Sequence, residues 1–347
     1  MTVSAVPAGS IGVSFTPFED RVEVIDAVAV HAEARGLAFV AVAEAMGLAA
    51  PIVLARLAGR TQRIGLMTGV LSVWSRTPAT LALTAAELQR LSAGRFTLGL
   101  GAGTAPITEG FHGRAWTAPV DRLQQTCAAV RALLAGERLP AAPGGARPLR
   151  LGCPPRTAVP LAVGAVTSPG IRVAGAIADQ WLPFLLPPAA IDAGRELIDA
   201  VAAQEQRSTM PSVTAAVPVA LASDRASAAK IAARWLVTYA TRMGPVYPRV
   251  LRGHGYGLEL DALLEANGDS RDAALPPKAA RLADDVLIFG TYDEAPDLCR
   301  RWLDHADALA LVAPFGVSAA DINATIDAVV SGPASGTGAA GPHLATG

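Results

Sequence analysis

Cysteine is scarce. The chain holds three in 347 residues, Cys127, Cys153 and Cys299. They stand far apart and form no C-x-x-C pair, which excludes a disulfide framework and a zinc knuckle. Free thiols of this kind are usually buried, so all three are expected in the core. Charge is scarce as well, at 17% of residues, and neither sign prevails: 29 Lys and Arg face 30 Asp and Glu, for a net charge of −1. Without a basic block there is no footprint for neutralising phosphates, and nucleic acid is not an expected partner. Long apolar runs are missing too, despite a mean hydropathy of +0.36. Glu44 and Asp179 interrupt two of the longest stretches well short of the roughly 20 residues that a membrane span requires. No positive residue precedes Arg21 and no continuous apolar segment opens the chain. A secretory leader is therefore not expected, and the cytoplasm is the expected location.

Apolar residues, in contrast, make up 51% of the chain, enough for a large core. Short β-rich runs alternate with segments of helical period. Eight strands are expected: Ile11–Phe15, Ala38–Glu44, Ile64–Ser72, Arg95–Gly101, Pro160–Ala165, Trp181–Leu186, Val213–Leu221 and Ala308–Ala313. Between them lie helices such as Arg21–Arg35, Pro51–Ala58, Pro78–Ala93 and Asp121–Ala135. Gly36, Gly59, Gly94 and Gly136 follow these four and suit the left-handed position after a helix. The strands are nearly continuous apolar runs, the pattern of a parallel sheet covered on both faces. Eight β-then-α units point to an α/β protein, a (β/α)8 TIM barrel over residues 1–330 with insertions after strands four and seven. The first insertion, Glu137–Arg156, contains a strand-like run, Leu149–Cys153; the second, Arg242–Phe289, is helical with Gly and Pro breaks. The Gly, Ala, Ser and Pro-rich segment 331–347 reads as a disordered tail.

Among chemical motifs, the glycines of RFTLGLGAGT, Gly99, Gly101 and Gly103, approach a dinucleotide fingerprint but fail it. Thr104 stands where the third glycine belongs, Pro106 falls where a helix should already run, and Asp121 opens a helix instead of ending a strand. Glycines at a strand end instead let a flat ligand approach the backbone closely. No Walker loop, G-x-S-x-G elbow or H-E-x-x-H is present, and the five dispersed histidines suggest no metal site. Glu44 closes the apolar run LAFVAVAE, so in a barrel it lies at the C-terminal mouth, where it either fixes the next loop or handles a proton.

The stretch RIGLMTGVLSVWSRTPATLALTAAELQRLSAGRFTLGLGAG, from Arg63 to Gly103, resembles the strand-three to strand-four region of the luciferase-like flavin-dependent oxidoreductases. Similarity continues through HGRAWTAPVDRLQQTCAAVRALLAG, VPLAVGAVTSPGIRVAGAIADQWLPF and DDVLIFGTYDEA. The resemblance implies a barrel holding the deazaflavin coenzyme F420, with FMN as the alternative, at the C-terminal ends of the strands. GAVTSPGIRVAGAIAD and MGPVYPRVLRGHGYG look closest to the deazaflavin branch. There the turn Thr167, Ser168, Pro169 and Gly170 would receive phosphate at a helix N-terminus, with Arg172 nearby. The resemblance also implies a non-prolyl cis peptide between Gly69 and Val70, forming a bulge behind the cofactor ring, with Gly101 and Gly103 beside it.

Two departures bear on the reaction. Relatives often place His after the strand-two acid, where this chain has Ala45, and some deazaflavin dehydrogenases place Glu where it has Thr104. Glu44, Thr104 and His112 remain the candidate catalytic residues. The expected reaction is hydride transfer between F420 and a small organic substrate. The rivals are an FMN-dependent monooxygenase using molecular oxygen and a non-catalytic flavin-binding member. A homodimer is implied by the resemblance.

Overall fold

The computed structural model describes residues 7–140, 145–270 and 272–331. The expected tail lies outside the described residues except for Ser331. Along the chain come β1 (Ser10–Phe15), α1 (Val22–Ala34), β2 (Phe39–Val42), α2 (Ala50–Ala58), β3 (Gly65–Thr68), β4 (Leu71–Ser72), α3 (Pro78–Leu91), β5 (Phe96–Gly101), α4 (Ala105–Gly110) and α5 (Pro119–Leu134). Then follow β6 (Leu161–Gly164), α6 (Ser168–Ile177), β7 (Gln180–Leu182), α7 (Pro188–Gln204) and β8 (Ser212–Ala222). The chain continues with α8 (Arg225–Arg242), α9 (Val246–Gly253), α10 (Gly257–Asn267), α11 (Ala280–Val286), β9 (Ile288–Thr291), α12 (Ala295–Leu303), β10 (Ala308–Val312) and α13 (Ala319–Val330).

All strand pairings are parallel, in the order β10-β1-β2-β3-β5-β6-β7-β8, and β8 pairs back onto β10 through Thr214–Pro218 and Ala308–Val312. The sheet is thus a closed eight-stranded barrel wrapped by helices, as the alternating pattern predicts. Its inside is filled by two large side chains, Phe39 and Met67, among Ala41, Ala162, Leu182 and Ala310. The Phe39 ring lies so close to Gly12 that a Cβ there would meet it at 2.6 Å. The larger core lies between the strands and the helices. Where the strands begin, carboxylates accept otherwise unpaired backbone N–H groups: Asp179 from Leu161 at 2.8 Å and Asp307 from Val213 at 2.7 Å. Asp179, which interrupts an apolar run in the sequence, therefore belongs to the face opposite the strand ends.

Several expectations need correction. The run Leu149–Cys153 forms no strand, because β5 pairs directly with β6 and leaves no edge for it. Cys153 is exposed, whereas Cys127 and Cys299 are buried. Burial pushes both buried thiols up to about 12, the charged thiolate being the form that an apolar interior disfavours. Gly36, Gly94 and Gly136 have φ of 81°, 90° and 82°, but Gly59 has φ −82° and ends its helix without the left-handed turn. The second insertion is helical over α9 to α11. It closes with β9, which pairs with Val219–Ala222, the part of β8 that extends past the barrel.

Candidate active site

The third barrel strand, expected as Ile64–Ser72, is divided into β3 and β4 by Gly69 and Val70, whose peptide bond is cis. Hydrogen bonds tie this break to the end of β2: the Gly69 N–H donates to the Val42 carbonyl at 2.9 Å, and the Val70 carbonyl accepts from the Glu44 N–H at 3.2 Å. The Val70 side chain turns toward β5 and β6. A Cβ on Gly101 or Gly164 would lie 2.8 or 3.1 Å from its methyl groups, and one on Gly99 would meet the Thr68 carbonyl at 2.0 Å as well as a Val70 methyl at 3.2 Å, so the three glycines let the strands close around the isopropyl group. Thr68 fixes the register beneath, since its hydroxyl donates to the Gly99 carbonyl at 2.9 Å and accepts from the Gly99 N–H at 2.7 Å.

Glu44 stands beside the break, with its side chain only 10% exposed. Arg76 reaches it with both terminal nitrogens, Nη1 to Oε1 at 2.5 Å and Nη2 to Oε2 at 2.9 Å, and the Ala50 N–H at the start of α2 donates to Oε2 at 3.1 Å. A carboxylate engaged by a guanidinium fork and a helix N-terminus is fixed in place. Arg76 lies within the stretch Arg63–Gly103 that carries the family resemblance, but no sequence signal paired it with Glu44.

Beyond β5, Gly103 has a φ of 66°, and a Cβ there would come within 2.9 Å of the Ser72 hydroxyl and 3.3 Å of the Thr108 hydroxyl. The indoles of Trp74 and Trp116 both donate to the Ala102 carbonyl, at 2.8 and 3.2 Å. Thr104 precedes α4, which does begin at Ala105 with Pro106 in its first turn, a position that tolerates proline. The hydroxyls of Thr104 and Thr108 are buried and find no hydrogen-bond partner among the described residues. Such atoms cost about 1–3 kcal/mol unless a ligand or water completes them. His112 follows α4, half-buried, its ring 5.2 Å from that of Phe111. No hydrogen bond among the described residues joins it to Glu44 or Thr104.

Thr167, Ser168 and Pro169 are exposed at the start of α6, just past the end of β6, and Thr167 does not cap the helix with its side chain. The N–H groups of Ser168 and Gly170 are therefore not taken up by the Thr167 side chain. Gly170 is buried, and a Cβ there would meet that of Ala165 at 3.0 Å. Arg172 is exposed on the same helix.

Across the mouth from the Gly69–Val70 break lie aromatic rings that the sequence reading did not single out. Phe18, Phe184 and Phe315 follow the ends of β1, β7 and β10, and meet Trp235 and Tyr239 of α8 and Tyr247 of α9. In an eight-stranded barrel the third strand faces the seventh, β8, whose pairing neighbours are β7 and β10. Among the described residues no group of three His, Cys, Asp or Glu side chains converges to hold a metal.

A sequence profile of the luciferase-like monooxygenase family matches residues 7–313. A putative coenzyme F420-dependent oxidoreductase of Mycobacterium tuberculosis is 29% identical over 295 residues, 78% of this chain and 85% of that protein. The coenzyme F420-dependent tetrahydromethanopterin reductase of Methanopyrus kandleri superimposes with a TM-score of 0.72 at 20% identity, covering 94% of this chain and 99% of the other. A type II Baeyer–Villiger monooxygenase constituent from Pseudomonas putida, in complex with FMN, superimposes with a TM-score of 0.65 at 17% identity, covering 93% and 96%. At these identities the two structures speak to the shared fold.

Proposed function

The chain belongs to the luciferase-like monooxygenase family, and from that premise we propose that it transfers a hydride between the deazaflavin coenzyme F420 and a small organic substrate at the C-terminal mouth of the barrel. The observation that carries the reading is the notch of Gly99, Gly101 and Gly164 that receives Val70 and leaves the Gly69–Val70 backbone at the strand ends. Support for the deazaflavin comes from the mycobacterial relative, which spans most of both chains.

The residues present fit such a cofactor. Gly69, Val70, Gly101 and Gly103 would lie against its ring, and the turn Thr167, Ser168, Pro169 and Gly170 would receive its phosphate, with the N–H groups of Ser168 and Gly170 as donors on either side of Pro169. The bound deazaflavin supplies the carbon that exchanges a hydride, and the protein supplies position and field. Glu44, held by Arg76 and Ala50, is a positioning residue that joins β2, α2 and the bulge. The Thr104 hydroxyl, buried and lacking a partner among the described residues, is the group available to bond the cofactor or substrate. His112 lies after α4, where it would carry a proton to or from solvent.

FMN-dependent monooxygenation is the second reading, favoured by the FMN-bound structure of the same fold. Titration of the protein with F420 and FMN side by side, followed by cofactor fluorescence, separates the two. F420 is expected to bind at least tenfold more tightly, a gap of about 1.4 kcal/mol; equal or reversed affinities would transfer the assignment to the monooxygenase. We place the enzyme in the cytoplasm as a homodimer. No described helix is long and apolar enough to cross a membrane. Ile52 and Leu83, 72% and 58% exposed on α2 and α3, offer apolar surface for a second copy, which sedimentation would test.

A further inference from the structure

The aromatic group opposite the bulge is built from rings in mutual contact. Tyr239 lies 4.8 Å from Phe184, 5.1 Å from Tyr247, 5.8 Å from Trp235 and 6.0 Å from Phe18. Phe315 joins Phe18 at 5.2 Å and Trp235 at 5.3 Å. Most pairs are tilted or edge-to-face, so successive rings turn different faces and leave π surfaces beside one another. Trp235 is satisfied, its indole donating to the Val219 carbonyl at 2.9 Å. The two tyrosines are not: neither phenol hydroxyl makes a hydrogen bond to any described residue, and neither belongs to the enclosed, partnerless polar atoms, so both remain accessible to a ligand. Three of the rings stand just past barrel strands, on loops at the end of the barrel that forms active sites in this architecture.

We propose that this wall is the substrate-binding face of the enzyme, that it takes a neutral, ring-bearing organic molecule, and that the Tyr239 and Tyr247 hydroxyls donate hydrogen bonds to an oxygen of that molecule. The inference rests on the reading of the barrel mouth as the active site. Burial keeps both phenols protonated at neutral pH: Tyr247 is pushed up to about 12, and Tyr239 is raised as well, by burial and by Tyr247 beside it. They therefore act as neutral donors. No side chain forming the ring contacts is ionised at that pH. The guanidinium in contact with a ring of the wall, that of Arg234, sits on Phe315 at 4.7 Å. Glu19, next to Phe18, is neutralised by Arg21 at 2.7 Å. A cationic substrate would lose its hydration here and meet only the Arg234 guanidinium, a charge of its own sign, whereas a flat apolar molecule with a carbonyl would satisfy both hydroxyls and the ring faces together.

Three naphthalenes of similar outline serve as probes: 2-acetylnaphthalene, a neutral ketone; 2-ethylnaphthalene, which lacks the oxygen; and 2-naphthoate, which is charged. Each is titrated calorimetrically into the full chain, with and without F420. The ketone is expected to bind at least tenfold more tightly than the other two, with its carbonyl stretch lowered in the infrared by hydrogen bonding. In the double variant Tyr239→Phe/Tyr247→Phe the ketone's advantage and the infrared shift should vanish, while the affinities for 2-ethylnaphthalene and F420 and the melting temperature stay as they were. Should the double variant melt early, the single Tyr247→Phe variant carries the same expectation at reduced amplitude. Equal binding of ketone and hydrocarbon, binding of neither, preference for the carboxylate, or an advantage that survives in both Phe variants would each overturn the proposal. Failure of the cofactor reading would show separately, as loss or reversal of the F420 preference with ketone binding intact.

Discussion

Arg76 and Glu44, 32 residues apart in the chain, meet as a two-point ion pair with both partners largely buried, at 21% and 10% exposure. The pair joins the loop before α3 to the end of β2, and through the Ala50 N–H it fixes the start of α2 as well. Removing one partner from such a pair leaves the other charge poorly solvated, which is where its energetic weight lies.

Glu44→Gln keeps the shape and removes the charge. Stability should fall by about 2–4 kcal/mol, read as a lower denaturation midpoint, and F420 affinity should weaken. At saturating cofactor, kcat should stay within a few-fold. A fall in kcat of about 10²–10⁴ at unchanged stability would instead make Glu44 the proton carrier. In a cycle with Arg76→Met, the two losses should be strongly non-additive.

The notch beneath Val70 gives a rescue test. Gly101→Ala would place a methyl 2.8 Å from a Val70 methyl and push the bulge out of place, an overpacking cost of about 1–3 kcal/mol. F420 affinity should drop at least tenfold, and Gly101→Ala/Val70→Ala should restore most of it. Failure of the second change to restore binding would show that Gly101 acts other than through Val70.

Thr104→Val separates folding from function by the sign of its effects. Deleting a buried hydroxyl that lacks a protein partner should leave the melting temperature unchanged or higher. If that hydroxyl bonds cofactor or substrate, kcat/KM should nevertheless fall about tenfold. A variant that is fully active would remove Thr104 from the site.

The thiols make a chemical prediction. Iodoacetamide at pH 8 should label Cys153 alone in the native protein and all three cysteines in denaturant, counted by mass spectrometry, because a thiol raised to about 12 carries almost no thiolate.

Cys127, Cys299, Tyr247 and Tyr256 are all raised to about 12 in the native state, above the unfolded values of roughly 8.5 for Cys and 10 for Tyr. Above pH ~8.5 the unfolded chain gives up protons that the native protein retains, so stability should decline from there toward pH 12. Denaturant midpoints that stay level across that range would contradict the burial of these groups.

The barrel was legible in the sequence because each strand is a compact apolar run whose length and flanks suffice to identify it. Leu149–Cys153 shows where that logic fails: a run can be apolar and extended yet have no edge to pair with, and β5–β6 pairing leaves none. β9 shows the converse, since IFGT becomes a strand only through the unusual length of β8. In the site, the glycines after Phe96 were readable because close backbone approach restricts residue type locally, and the Gly69–Val70 break only because the stretch Arg63–Gly103 resembles a known family. The Arg76–Glu44 pair and the ring cluster were not, because their members come from separate loops and helices that only the closed barrel brings together.

Beyond its pairing with β7, β8 carries two hydrogen-bonded ladders in succession. Thr214–Pro218 closes the barrel against β10, and Val219–Ala222 holds β9. The ladders share a strand but no residue. A change of length or composition between Arg242 and Ile288 is thus borne by the outer ladder, and the inner register is shielded from it. The segment behaves as an interchangeable cassette, and new pockets could be grafted there while the catalytic scaffold keeps its alignment.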